Sequence, residues 1–125
     1  MTRQTQLRFE TLNLDALVRT HLSRVLKDAK ESRAIIALKM AEVSGQDVTE
    51  TSLNNWTAGS KESWRMPACL IPAFCYATDD YSIFDVLLKP LDRRLATEDE
   101  ERQSKIGQLH QQRDQIDAEL EKLKR

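Results

Sequence analysis

Between positions 14 and 90, apolar residues recur at three- and four-residue intervals in five short runs, and no segment alternates as a half-buried strand would. The first run, Leu14, Leu17, Val18, Leu22, Val25, Leu26 and Ala29, predicts a helix capped by Asn13, with Asp15 in its first turn and Arg19, Arg24, Lys27 and Lys30 off the stripe. Ser32 caps a second helix running to about Ser44, with Ile35, Ile36, Met40 and Val43 inward and Gly45 as its stop. A short third helix begins at Thr49, turns Leu53 and Trp56 inward and is closed by Gly59. Ser60 to Met66 reads as a loop. Pro67 and Pro72 bracket the start of a fourth helix whose core face is Ile71, Phe74, Cys75 and Ala77. Ser82 to Leu88 forms a fifth, ended by Pro90.

From about Thr97 the pattern changes. Charge and Gln dominate, and Ile106, Leu109, Arg113, Ile116, Leu120 and Leu123 follow a three-four spacing that fits about three heptads. A helix so rich in charge buries too little to hold itself, so it calls for a partner, and self-association through these six residues is the expectation. The expected organisation is therefore an N-terminal arm (1–13), a five-helix domain (14–92) and a C-terminal coiled-coil helix (93–125), all-α throughout.

Composition narrows the function. Mean hydropathy is −0.57, and the longest uncharged run, Met66 to Thr78, holds two prolines and is too short to span a membrane. The first residues, MTRQTQLRFET, contain no apolar run suited to a signal peptide, so a cytoplasmic protein is expected. Net charge is −1, but it divides into +4 over residues 1–39, −5 over 40–92 and 0 over 93–125. A basic first third can present a cationic face on a nearly neutral molecule, so the balance does not exclude a nucleic-acid partner.

The run Met40-Ala41-Glu42-Val43-Ser44-Gly45 followed by Val48-Thr49-Glu50-Thr51-Ser52-Leu53-Asn54-Asn55-Trp56-Thr57-Ala58-Gly59 resembles the helix-turn-helix of the Cro/phage-repressor (XRE) family. Ala41, Gly45, Val48, Thr49, Leu53, Trp56 and Gly59 match that pattern in order, and SLNNWTAGSKESWRMPACLIPAFCYAT is similar to small regulators of Mu-like phages and prophages. The resemblance covers residues 14–90 and implies a lambda-repressor-like domain in a bacterial host cell. The stretch from Gly45 to Trp56 is about two residues longer than is usual for the family, so base contacts do not transfer position by position.

On this reading the outer face of the third helix enters the major groove. Glu50, Thr51, Ser52, Asn54 and Asn55 are the base-reading candidates, since Asn pairs bidentately with adenine and Thr or Ser bonds either base. Arg33, Lys39, Thr49, Ser60, Lys61, Ser63 and Arg65 are the phosphate candidates, which would set register without reading sequence. The third helix carries no Arg or Lys of its own, so helix one and the start of helix two must supply the attraction.

Other chemistries lack parts. Cys69 and Cys75 have no His or Cys partner at zinc spacing and read as buried free thiols; His21 and His110 read as packing or flank residues. No Gly-rich phosphate loop or nucleophile–base pair can be assembled, so no enzyme, cofactor, metal or small-molecule substrate is expected. The expectation is a DNA-binding transcriptional regulator of phage type, acting on double-stranded DNA as a homodimer or homotetramer. The alternatives are a small-terminase-like DNA-packaging subunit and a protein-binding adaptor.

Overall fold

Short helices with one apolar face each can gain stability only by stacking on one another. In a computed structural model, which describes residues 13–61 and 63–125, they do so in the order α1 (Asp15–Asp28), α2 (Arg33–Ser44), α3 (Glu50–Thr57), α4 (Ile71–Thr78) and α5 (Ile83–Leu88), followed by α6 (Glu98–Lys124). Single 3₁₀ turns, Ala68–Leu70 and Lys89–Leu91, precede α4 and follow α5. Regular structure among the described residues is entirely helical. The chain forms two compact units, Met1–Arg94 and Leu95–Arg125. The expected arm, Asn13 apart, lies outside the described residues.

In the first unit α2 packs against both α3 and α4, while α1 packs against α3 and α5. The core they enclose includes Leu22, Val25 and Leu26 from α1, Ile36, Ala37 and Met40 from α2, Leu53 from α3, then Phe74, Cys75 and Ile83. Ser32 and Thr49 cap α2 and α3 through their side chains, to the N–H groups of Ile35 and Ser52. Gly45 ends α2 in the left-handed region, φ 71°, where a side chain would be strained, and its N–H returns to the Ala41 carbonyl.

Several placements differ from the periodicity. Leu17 is 61% exposed, whereas Arg19 is buried. At 100° per residue Leu17 lies about 140° round the helix from Leu22, while Arg19 lies only about 60° from it. The same rotation puts Ile35 on the outer side of α2 and brings Ala37 inside; Val43, in the last turn, is half exposed. Leu14, not Asn13, occupies the cap position of α1, although Asn13 Oδ1 still accepts from the Asp15 N–H at 3.3 Å. Helix α3 closes at Ala58, whose N–H reaches the Asn54 carbonyl, one residue before Gly59. Cys69 is exposed rather than buried because the 3₁₀ turn points it outward; Cys75 is buried.

A polar chain ties α1 to the turn before α5. His21 Nε2 meets Ser82 Oγ at 2.7 Å, and the Ser82 hydroxyl and N–H both donate to Asp80 Oδ1. The Ser82 bonds, against the burial that pushes it up and with the charge of His21 nearby, hold the Asp80 carboxyl below its ordinary range. A carboxyl lowered in the folded state adds stability above its unfolded pKa of about 3.9, and that share is lost as pH falls through the lowered value. Asp80→Asn is therefore expected to flatten the acid limb of a stability–pH curve; an unaltered acid limb would count against this role.

Candidate nucleic-acid interface

Helix α3 is fixed from beneath and open above. Leu53 is fully buried, Trp56 packs partly buried on the core, and Glu50, Thr51 and Asn54 are exposed, with Asn55 half-buried. Its first turn is closed by a reciprocal pair. Thr49 Oγ1 accepts from the Ser52 N–H, and Ser52 Oγ accepts from the Thr49 N–H, both at 3.2 Å. These two hydroxyls also face each other at 3.1 Å. Thr49 and Ser52, candidates for phosphate and base respectively, thus already serve the helix start.

Arg33, at the start of α2, reaches across to α3. Its Nη1 donates to Asn54 Oδ1 at 2.9 Å and to Thr57 Oγ1 at 3.2 Å, while the Thr57 hydroxyl donates to the Leu53 carbonyl. This holds the Asn54 amide in one orientation at the open surface. An amide oxygen has two lone pairs, so Asn54 can keep Arg33 and still offer an acceptor and the Nδ2 donors to a base edge. Lys39 lies elsewhere. Six residues after Arg33, about 240° round the helix, it pairs with Glu31 at 2.6 Å beside the start of α2 and the end of α4.

The other end of α3 rests on Arg19. Its Nη1 donates to the Ala58 carbonyl at 3.1 Å and, more loosely, to the Trp56 carbonyl at 3.5 Å, while Nε reaches Asp15 Oδ2 at 3.4 Å. Carbonyls at a helix C-terminus carry partial negative charge and lack helical partners, so a buried guanidinium there satisfies both at once. Asp15 also receives Arg65 Nε at 2.9 Å. Desolvation pushes the Asp15 carboxyl up, but Arg65 and Arg19 together leave it below its ordinary value. Arg65 thus braces the loop back onto α1.

Beside this junction lies an open cleft of about 500 Å³, lined by Thr20, Ser23, Arg24 and Lys27 of α1 and by Thr57 and Gly59. Asp15 and Asp28 line it as well. Arg24 and Lys27 are exposed and form no ion pair with a described residue. Ser60, Lys61 and Ser63 are exposed on the loop after α3, which turns tightly as the Lys61 N–H meets the Ala58 carbonyl and the Trp64 N–H meets the Lys61 carbonyl. Sequence reasoning saw Arg24 and Lys27 only as basic residues of helix one; their position beside Thr57 depends on how α1 crosses α3.

In the second unit α6 is one continuous helix, capped by Thr97, whose side chain accepts from the Glu100 N–H. All its residues are exposed, including Ile106, Leu109, Arg113, Ile116, Leu120 and Leu123. The described residues hold no cluster of three or more His, Cys, Asp or Glu able to hold a metal ion, and no described helix is long and apolar enough to cross a membrane. Compared with family models, with curated proteins and with solved structures, the chain matches none.

Proposed function

We propose that the chain is a sequence-specific DNA-binding transcriptional regulator of phage or prophage type, working as a homo-oligomer joined through α6. The observation that carries this reading is the presentation of α3. Leu53, Trp56 and the Arg19 bonds hold one face down, while Thr51 and Asn54 stand outward with Arg33 across the edge. Taken as a helix-turn-helix, α2 and α3 would place α3 in the major groove, which is ~12 Å wide. Asn54 is the adenine reader in this reading, Thr51 contacts a thymine methyl or a base edge, and Glu50 accepts from cytosine. Arg24, Lys27 and Lys61 supply phosphate contacts on the flanks. Three or four such contacts per copy make single-copy binding weak and salt-sensitive, which gives α6 its purpose: a second linked copy raises the effective concentration at a second half-site.

The test is a fluorescence-anisotropy titration against DNA from upstream of the protein's own gene at two salt concentrations. With about six to eight phosphate contacts from two linked copies, affinity should fall by roughly 10³ to 10⁴ between about 50 and 200 mM salt. Asn54→Ala should remove discrimination between operator and random DNA, a difference of about tenfold or more, while random-DNA binding and thermal stability hold. Absence of binding at low salt refutes the proposal; loss of folding in Asn54→Ala would make that residue structural. Light scattering separates the packaging alternative, which calls for a ring of many copies rather than a dimer or tetramer.

A further inference from the structure

Helix α6 is charged along its whole length, and like charges gather at its two ends. Glu98, Asp99, Glu100 and Glu101 fill the first turn, while Lys122 and Lys124 occupy the last, with Arg125 beyond. Between them lies the exposed seam, Ile106 40% and Leu123 82% accessible at its limits, with its midpoint between Asp114 and Gln115. Arg113 sits in that seam, just off centre, and its nearest carboxylate is only the adjacent Asp114 at 3.9 Å.

We propose that the partner of α6 is a second copy of α6 running antiparallel to it. The inference rests on the reading of α6 as a self-association helix and specifies the geometry of that association. In a parallel pair every seam residue meets its own kind. Arg113 would face Arg113 of the partner subunit inside the seam, the four carboxylates of the first turn would be doubled at one end, and the cations of the last turn doubled at the other. Like charges held opposite one another destabilise, and aligned helix dipoles add to the same penalty.

An antiparallel pair centred on the seam's midpoint removes each clash. Ile106 layers with the partner's Leu123, Leu109 with the partner's Leu120, and Arg113 with the partner's Ile116, where its long stem packs and its head can swing outward. His110 then flanks the partner's Asp117. In this register the last turn of each copy, Lys122 to Arg125, lies beside residues 104–107 of the other and stops about one helical turn short of the partner's Glu101. The like charges of the ends are thus kept apart rather than doubled, and the dipoles oppose. The parallel arrangement has one compensating feature, Glu119 beside the partner's Lys124, and exposed pairs of that kind contribute little. In the antiparallel pair the two Thr97 ends stand about 50 Å apart, so the DNA-facing units leave from opposite ends of the pair.

Orientation is tested on the full-length chain with Cys69→Ser, which removes the exposed native thiol. Ile106→Cys and Leu123→Cys versions, one carrying a mass tag, are mixed in equal amounts and equilibrated in a glutathione redox buffer, and disulfides are read by intact mass. The expected result is a heterodisulfide at least tenfold over either homodisulfide. Dominant homodisulfides, or the statistical mixture of all three, would overturn the proposal. Because seam substitutions weaken pairing, a spin label on Ser104→Cys, outside the seam, gives a second reading. Its expected inter-label distance is about 35 Å in the antiparallel pair, and about 15 Å would contradict it. Sedimentation of the unsubstituted chain keeps the two ideas separable: a monomer removes self-association itself, whereas an oligomer with homodisulfides removes only the orientation.

Discussion

Arg19→Met is expected to lower the unfolding free energy of the first unit by about 2–4 kcal/mol, moving its thermal midpoint down by on the order of 10 °C. Arg19 is 7% exposed and joins the Asp15 carboxylate to the Trp56 and Ala58 carbonyls. Methionine fills a similar volume, so the loss is one of charge and hydrogen bonds rather than of packing. What remains is costly, because the carbonyls at the end of α3 lose their donor and Asp15 loses one of its two cations. Arg19→Lys should recover only part of the loss, since an ammonium cannot span donors and acceptors as a planar fork does. Urea and thermal denaturation followed by circular dichroism give the values. A midpoint unchanged in Arg19→Met would mean that α3 is held by Leu53 and Trp56 alone.

Truncation after Arg94 is expected to leave the first unit folded and lower operator affinity on the order of a hundredfold. The core that holds that unit, with the side chains packed against it, lies between Val18 and Leu87, so its melting should be unaffected. On the proposed function, the loss on DNA follows from linkage: without α6 each copy would bind alone, and the effective concentration that joins two half-sites would disappear. Mass by light scattering should fall to that of one chain, while the ratio of operator to random-DNA affinity per copy stays the same. Undiminished affinity, or an unchanged oligomer, would place association in the first unit instead.

The helices and their ends were largely readable from local signals. Ser32, Thr49, Gly45 and Thr97 act through hydrogen bonds or backbone angles within a few residues, so the sequence contains all that those caps need. The candidate face of α3 was readable for the same reason, since Leu53 and Trp56 define its buried side and leave Thr51 and Asn54 opposite. Site chemistry was less legible. Arg33 and Lys39 looked equivalent as basic residues of one helix, yet Arg33 bonds to Asn54 while Lys39 bonds to Glu31. Ser52 looked like a base reader, and its hydroxyl also accepts from the Thr49 N–H at the start of its own helix.

Local periodicity and capping chemistry thus determine the six α-helices, the first-unit core around Phe74, Met40, Ile36 and Leu53, and the isolation of the seam on α6. Tertiary structure decided what no window of sequence carries. It chose Arg19 over Leu17 for burial, because the angle at which α1 crosses α3 puts the guanidinium at two carbonyls more than thirty residues away in sequence. It gathered Arg24 and Lys27 beside Thr57 and Gly59 by the same crossing. The physical reason is common to all of these. A cap or a stripe is satisfied within one helix, whereas a buried charge or a cleft between helices exists only once a second helix fixes what lies across from it.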